Sequence, residues 1–404
     1  MGVRSTHAAH CLPLTGCRRP PVPVPSLLPN ADELARYGPL LAEARRIKGT
    51  SLGRDAWRRL KRNRVAIAAL VVLVTLAGLA PVVPLLPLQS PREQALATRQ
   101  FEPPNAAPQT LGLYALYANA SSAEASASDA AAFIARRDAL FGELNLFDRA
   151  LLAARLNVFG DWCIGSLCGT DELGRDLLAR LFWGARVSLS VGVVAALVSL
   201  VIGVSYGATS GYFGGRIDNA MMRLVDVLYS IPFIFVVIFI ITILKEESIK
   251  AALREAGIDE ISVFFVVIGA IYWLTMARVV RGQVLSLKQE QFVEAARTIG
   301  ASRRRIIFLH LVPNLLPIVI VYLTLTIPSV MLFEAFLSFL GLGVSAPDVS
   351  WGLLANDGIQ VITPLRVYWW VVVFPGVALA TTLFALNFLG DGLRDALDPR
   401  MSKH

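Results

Sequence analysis

The chain has 404 residues, 55% hydrophobic and 17% charged, with a net charge of +8 and a mean hydropathy of +0.58. Soluble domains carry about 25% charge, and here the apolar residues come in long blocks, which excludes an ordinary water-soluble globule and points to several membrane spans. The cations gather beside those blocks, as orientation in a membrane requires, rather than on one face for nucleic acid.

Residues 1–50, proline-rich between 13 and 29, read as a disordered extension, in which Cys11 and Cys17 lack metal-site spacing. No secretory signal is expected, because the first apolar run long enough to insert begins after residue 64. Residues 51–64 predict a basic helix on the membrane surface, with Trp57 and Leu60 on one side and cations such as Arg58, Arg59 and Lys61 around them, suited to anionic membrane lipid. Residues 65–86 form the first expected span, ended by Pro81, Pro84 and Pro87, and the preceding cations place the N-terminus in the cytoplasm.

Residues 87–183 are then an enlarged periplasmic loop, helical over 129–157, with Phe133, Leu140, Leu144, Phe147 and Leu151 as an apolar stripe. Cys163 and Cys168 flank Gly165 and suit a local disulfide in an oxidising compartment. The run Gly169-Thr170-Asp171, with Gly174-Arg175-Asp176, suggests an ordered, non-helical approach to the next span.

Residues 184–392 hold five more spans. The second, 187–206, is rich in small residues that let membrane helices pack closely. The third and fourth are expected at 227–244 and 261–280, the fifth at 312–340 and the sixth at 367–388, before a cytoplasmic tail over 393–404. Glu334, near the outer end of the fifth span, is a candidate for the translocation path or its gate, since an ionisable residue in a span faces protein or water.

Between the fourth and fifth spans lies a polar hairpin, 282–312. From 278 to 305 it carries seven basic and two acidic residues, a cytoplasmic balance. A helix over 290–298 puts Phe292, Ala295, Ala296 and Ile299 on one side, Gly300 suits a C-terminal cap, Ser302 caps a second short helix and Pro313 closes it. Two readings fit: an ordinary basic loop, or a docking knob with Glu294 as its charge. There is no Walker phosphate loop, zinc-type spacing or nucleophile elbow, so any ATPase acting with this chain is another polypeptide.

Glu294-Ala295-Ala296, three residues, then Gly300 resembles the signature loop of the membrane subunits of bacterial ABC importers. Asn63-Arg64, the Gly169–Asp176 run, Gly282-Gln283, residues 333–343, Ser350-Trp351-Gly352 and residues 390–399 follow the same family in the same order. Over residues 51–87 and 160–400 the chain resembles the C-type inner-membrane subunit of dipeptide and oligopeptide importers. The resemblance implies an all-α membrane protein of type I ABC importer permease fold, with six transmembrane helices, both termini cytoplasmic and no cofactor of its own. It implies that Glu294, Ala295, Ala296, Gly300 and Arg303 meet the ATPase. The implied partners are a homologous B-type permease, two ABC ATPase subunits that bind ATP and Mg, and a periplasmic peptide-binding protein. An importer of nickel or another small solute is the alternative within the family, and a receptor or scaffold the alternative outside it. Two departures stand out: an insertion over 88–160, and the first 50 residues.

Overall fold

The computed structural model describes residues 52–122, 126–244, 246–256, 260–344 and 347–397. The extension expected over 1–50 lies outside them, as do residues 398–404 of the tail. Helix α1 (Leu52–Arg62) does not present Trp57 and Leu60 together. Leu60 is buried against Ala66 and Ala396, whereas Trp57 is half exposed with the Lys61 ammonium 5.2 Å from its ring centre. The helix thus packs on its own chain with the leucine and leaves the tryptophan outside. Asn63 leaves helical geometry, and its side-chain oxygen accepts from the Val65 and Ala66 amides at 3.1 Å, starting α2 (Arg64–Val82). A 3-10 turn, Val83–Leu85, ends the span.

The insertion is a small folded unit with its own core. Strands β1 (Gln109–Thr110) and β2 (Trp162–Cys163) pair antiparallel, Gln109 opposite Cys163. Between them run α3 (Tyr114–Ala120), α4 (Ala127–Phe141) and α5 (Leu146–Phe159). The continuous helix expected over 129–157 is two helices, because Gly142 takes φ +79 and Asn145 caps the second by accepting from the Asp148 amide. The break changes the helical register, so the stripe divides. Leu140 and Leu144 are buried with Leu152 and Leu156, while Phe147 points outward.

Asp176 starts α6 (Leu177–Phe213), accepting from the Ala179 amide at 2.6 Å. At 37 residues this helix is far longer than the expected span and measures about 55 Å at 1.5 Å per residue. Gly214, at φ +65, ends it. The third span is not one helix. It is a pair, α7 (Gly215–Ser230) and α8 (Phe233–Leu244), bent by 79°. Pro232 disfavours helical backbone at the residue before it, and Ile231 is indeed extended at φ −82, ψ 124. After α9 (Glu247–Glu255), helix α10 (Glu260–Leu287) packs along α6 in the most extensive helix contact of the fold. Gly203, Gly207 and Gly211 make that approach possible, since a Cβ at any of them would run into Met276, the Ala277 carbonyl or Val284.

Helix α11 (Gln291–Thr298) forms the hairpin, and α12 (Val312–Phe339) the next long segment. Helix α13 (Trp351–Gln360) fills the following loop, and α14 (Trp369–Leu397) runs well past the expected sixth span. Among the described residues five segments are long and apolar enough to cross a membrane, and the bent pair, taken as one span, makes a sixth.

Candidate functional site

The hairpin is mounted on the end of α6 and α10. Val293 and Ala296 of α11 are buried with Ile306, Ile307 and Leu311, and with Ala208, Val280 and Val284 of the long helices. Arg297 sits over the Tyr212 ring at 5.5 Å and Arg303 over Phe213 at 5.7 Å, both at the last turn of α6. The Lys288 ammonium donates to the Gly211 carbonyl at 2.9 Å. Beneath them Arg281 donates to Asp218 at 2.5 and 2.6 Å, and Ser210 donates to the same carboxylate at 2.5 Å, which ties α6, α7 and α10 together.

This mounting corrects the expected face. Ala296 points into the chain, so it is not on the same surface as Ala295. The outward set is Phe292, Glu294, Ala295, Thr298 and Ile299, the last 86% exposed. Val293 lies three residues before Ala296 and shares its side of the helix, a spacing that the alanine pair obscures. Gly300 has φ +85 and open space around it, and Ser302 caps the next turn by accepting from the Arg305 amide, both as expected. Pro313 does not close the second helix. Residues Ile306–Leu311 form a π segment that carries straight into α12. A proline clashes with the carbonyl four residues before it in a regular helix, and the wider turn relieves that clash.

At the other end of α6, the Gly169–Asp176 run is a structural tie. Asp171 accepts from the amides of Leu173 and Arg175 at 2.9 Å, from the Arg175 side chain at 2.7 Å and from the buried Arg180. Arg180 also donates to Asp357 of α13 at 3.3 Å, and the Trp370 indole donates to the Thr170 carbonyl at 3.2 Å. Burial raises the Asp357 carboxyl above its usual range, against the pull of Arg180.

Glu334 is 1% exposed. Ser338 and Ser350 donate to it at 2.8 and 2.7 Å, and Ser350 caps α13. The Trp351 amide donates to Ser188 of α6 at 2.9 Å. The carboxylate therefore joins α12 to α13 and faces no open space in this chain. Where the insertion meets the long helices there is a cavity of about 320 Å³, lined in part by Arg92, Glu143, Asp148, Trp183 and Arg186.

The expected disulfide is absent: Cys163 and Cys168 are buried free thiols. Their side chains enter different cores, Cys163 beside Leu156 in the insertion and Cys168 beside Leu177 and Trp370. Arg155 donates to the Cys163 sulfur at 3.0 Å. Burial raises both thiols, Cys168 to about 12, so both stay protonated at neutral pH.

Residues 199–403 match the family described as binding-protein-dependent transport system inner membrane component, and residues 51–108 match the N-terminal TM domain of oligopeptide transport permease C. The chain belongs to the binding-protein-dependent transport system inner membrane components. The dipeptide transport system permease protein DppC of Bacillus subtilis (strain 168) is 48% identical over 58% of this chain and 69% of its own length. The oligopeptide transport system permease protein OppC of Haemophilus influenzae is 49% identical over 57% of this chain and 70% of its own. Escherichia coli (strain K12) OppC is 47% identical over 58% and 73%. The chain is thus the multi-pass membrane component of such a system, a permease and not the enzyme that hydrolyses ATP.

Proposed function

We propose that this chain forms, with a homologous permease chain, the membrane path for di- or oligopeptides in an ABC importer. Two ATPase subunits bind ATP and Mg below it, and a periplasmic binding protein delivers peptide above it. Both termini lie in the cytoplasm. Its relatives are named for dipeptides and oligopeptides, which favours peptide over nickel as the solute.

The observation that carries the coupling role is the hairpin. Its inner side is locked to the ends of α6 and α10, while Glu294, Ala295, Ile299 and Gly300 are left exposed at its tip. A rigid mount with an exposed acidic tip suits a groove on a basic partner surface. Ala295 allows close approach, and Gly300 permits the turn. Ala296, Arg297 and Arg303 hold the knob in place. The partner must bind this tip differently in its two nucleotide states, because equal affinity for both would shift nothing. Glu334 serves at the outer end as a latch, holding α13 against α12 beside the gate.

The test is capture of tagged chain from gently solubilised membranes, wild type against Glu294→Lys. Wild type brings down a second permease and two ATPase subunits, and the variant loses only the ATPases. An intact wild-type chain that captures no ATPase rejects the proposal.

A further inference from the structure

Helix α5 has two apolar faces, and only one is covered. Asp148, Leu152, Arg155 and Leu156 point into the chain. On the opposite side Leu146 is 84%, Phe147 58% and Val158 70% exposed, and Ala150 and Ala154 are exposed between them. At 100° per residue these five fall within an arc of about 120°. Asn157 is the one polar residue within that arc and Arg149 the one beside it, and the one acid of the helix, Asp148, is buried in an ion pair. An apolar stripe of that width on a helix is expected to be covered.

The anchoring of α5 indicates what covers it. Near its C-terminal end the Arg155 guanidinium donates to the Leu88 carbonyl at 2.6 Å, and just after β2 the Ile164 amide donates to the Pro87 carbonyl at 2.8 Å. Those carbonyls come directly after the apolar segment Arg64–Leu85. Near its N-terminal end Asp148 accepts from Arg186 at 3.0 and 2.9 Å. Arg186 is the last charged residue of α6 before a stretch, 187–215, with no Asp, Glu, Lys or Arg. One end of α5 is therefore fixed just beyond the apolar segment Arg64–Leu85 and the other at the start of the uncharged stretch 187–215. A helix held at those two points lies along the bilayer boundary, over about 21 Å. Trp162 and Tyr114 beside it are half exposed, and the Phe159 and Trp162 rings are 6.4 Å apart. Tryptophan and tyrosine favour that boundary, and a lone exposed arginine suits phosphate headgroups.

We propose that α5 is an interfacial helix, with its Leu146, Phe147 and Val158 face seated in the headgroup and acyl boundary of the bilayer, so that lipid holds the insertion in place. This holds whichever solute the path carries.

The experiment uses the full chain with its copurifying partners in nanodiscs of zwitterionic and anionic phospholipid. An environment-sensitive fluorophore is placed on Phe147→Cys or Val158→Cys, with Cys11 and Cys17 changed to alanine and the two buried thiols retained. Val74→Cys, on the exposed side of α2, is the lipid control, and Ser128→Cys, in the polar first turn of α4, is the aqueous control. The expected result is blue-shifted emission at 147 and 158, quenched by doxyl-labelled lipid as at 74 and resistant to iodide. Iodide quenching equal to that at 128 overturns the proposal. Protection from both quenchers also overturns it and shows a protein seated on the face.

Discussion

At Asp176 one carboxylate both caps the longest helix and is buried beside it, and burial raises its pKa to about 6. A raised carboxyl binds its proton more readily in the folded chain than in the unfolded one. Stability from this group therefore falls as pH rises from about 4 to about 6, and the penalty is complete above that. Asp176→Asn keeps an oxygen for the Ala179 amide and removes the charge. We expect the variant to be more stable at pH 8 by an amount on the order of 2 kcal/mol, read as a higher thermal midpoint, with a gap that narrows toward pH 5. An unchanged gap across that range would contradict the assignment. Gly300 is the other residue whose backbone decides its identity. Nothing lies within 4 Å of a Cβ there, so a substitution meets only the strain of φ +85, about 1 to 2 kcal/mol. Gly300→Val should reach normal abundance yet lose uptake, and normal uptake at normal abundance would remove the hairpin from the coupling step.

At the level of helices, the glycine seam makes a sharper demand. A Cβ at Gly207 would overlap the Ala277 carbonyl, and backbone cannot swing aside as a long side chain can. Gly207→Val should sharply reduce folded protein, whereas Gly282→Ala, with open space at its Cβ, should not. Size-exclusion profiles of the two variants check this, and equal monodisperse yields would show that the seam is looser than described. The small-residue pattern of this helix was legible in the sequence, because close packing in lipid selects for it directly. So were the turn at Gly300 and the cap at Ser302, which depend on single residues. Less local features were hidden. Ala296 faces inward because Val293 and Ile306 share its core, a tertiary fact that a pair of alanines does not announce. The extra turns at the start of α6 lie in the stretch that carries Arg180 and Arg186, which hydropathy reads as loop although Asp171, Asp357 and Asp148 neutralise them. The split of the insertion helix turned on Gly142, and the free thiols on which core each side chain enters.

For the molecule as a whole, the proposed coupling role requires a push on the hairpin tip to reach the broken span. Two ion pairs strap α7 to α10: Arg281 with Asp218, and Arg278 with Asp226 at 2.8 Å. Beyond the bend at Pro232, α8 packs instead through Val237 and Ile241 onto Phe264, Phe265 and Ile268 of α10. The inner half of the pair is thus held by charge and the outer half by apolar packing, so a shift at the hairpin end can move α7 while α8 stays seated. The Asp218 side chain is 7% exposed and that of Arg281 32%. Removing the arginine strands a nearly buried carboxylate, at a cost of roughly 2 kcal/mol after allowing for the exposed partner. We expect Arg281→Gln to keep the ATPase subunits, since the tip is untouched, but to lose uptake. Asp218→Asn combined with Arg281→Gln should recover abundance, because no charge is left unpaired, without recovering uptake. The double-mutant cycle separates the two effects: stability couples the pair, and transport requires the strap itself. Uptake restored in the double variant would mean that the strap only preserves the fold, and that the hairpin reaches the path through the glycine seam of α6 and α10 instead.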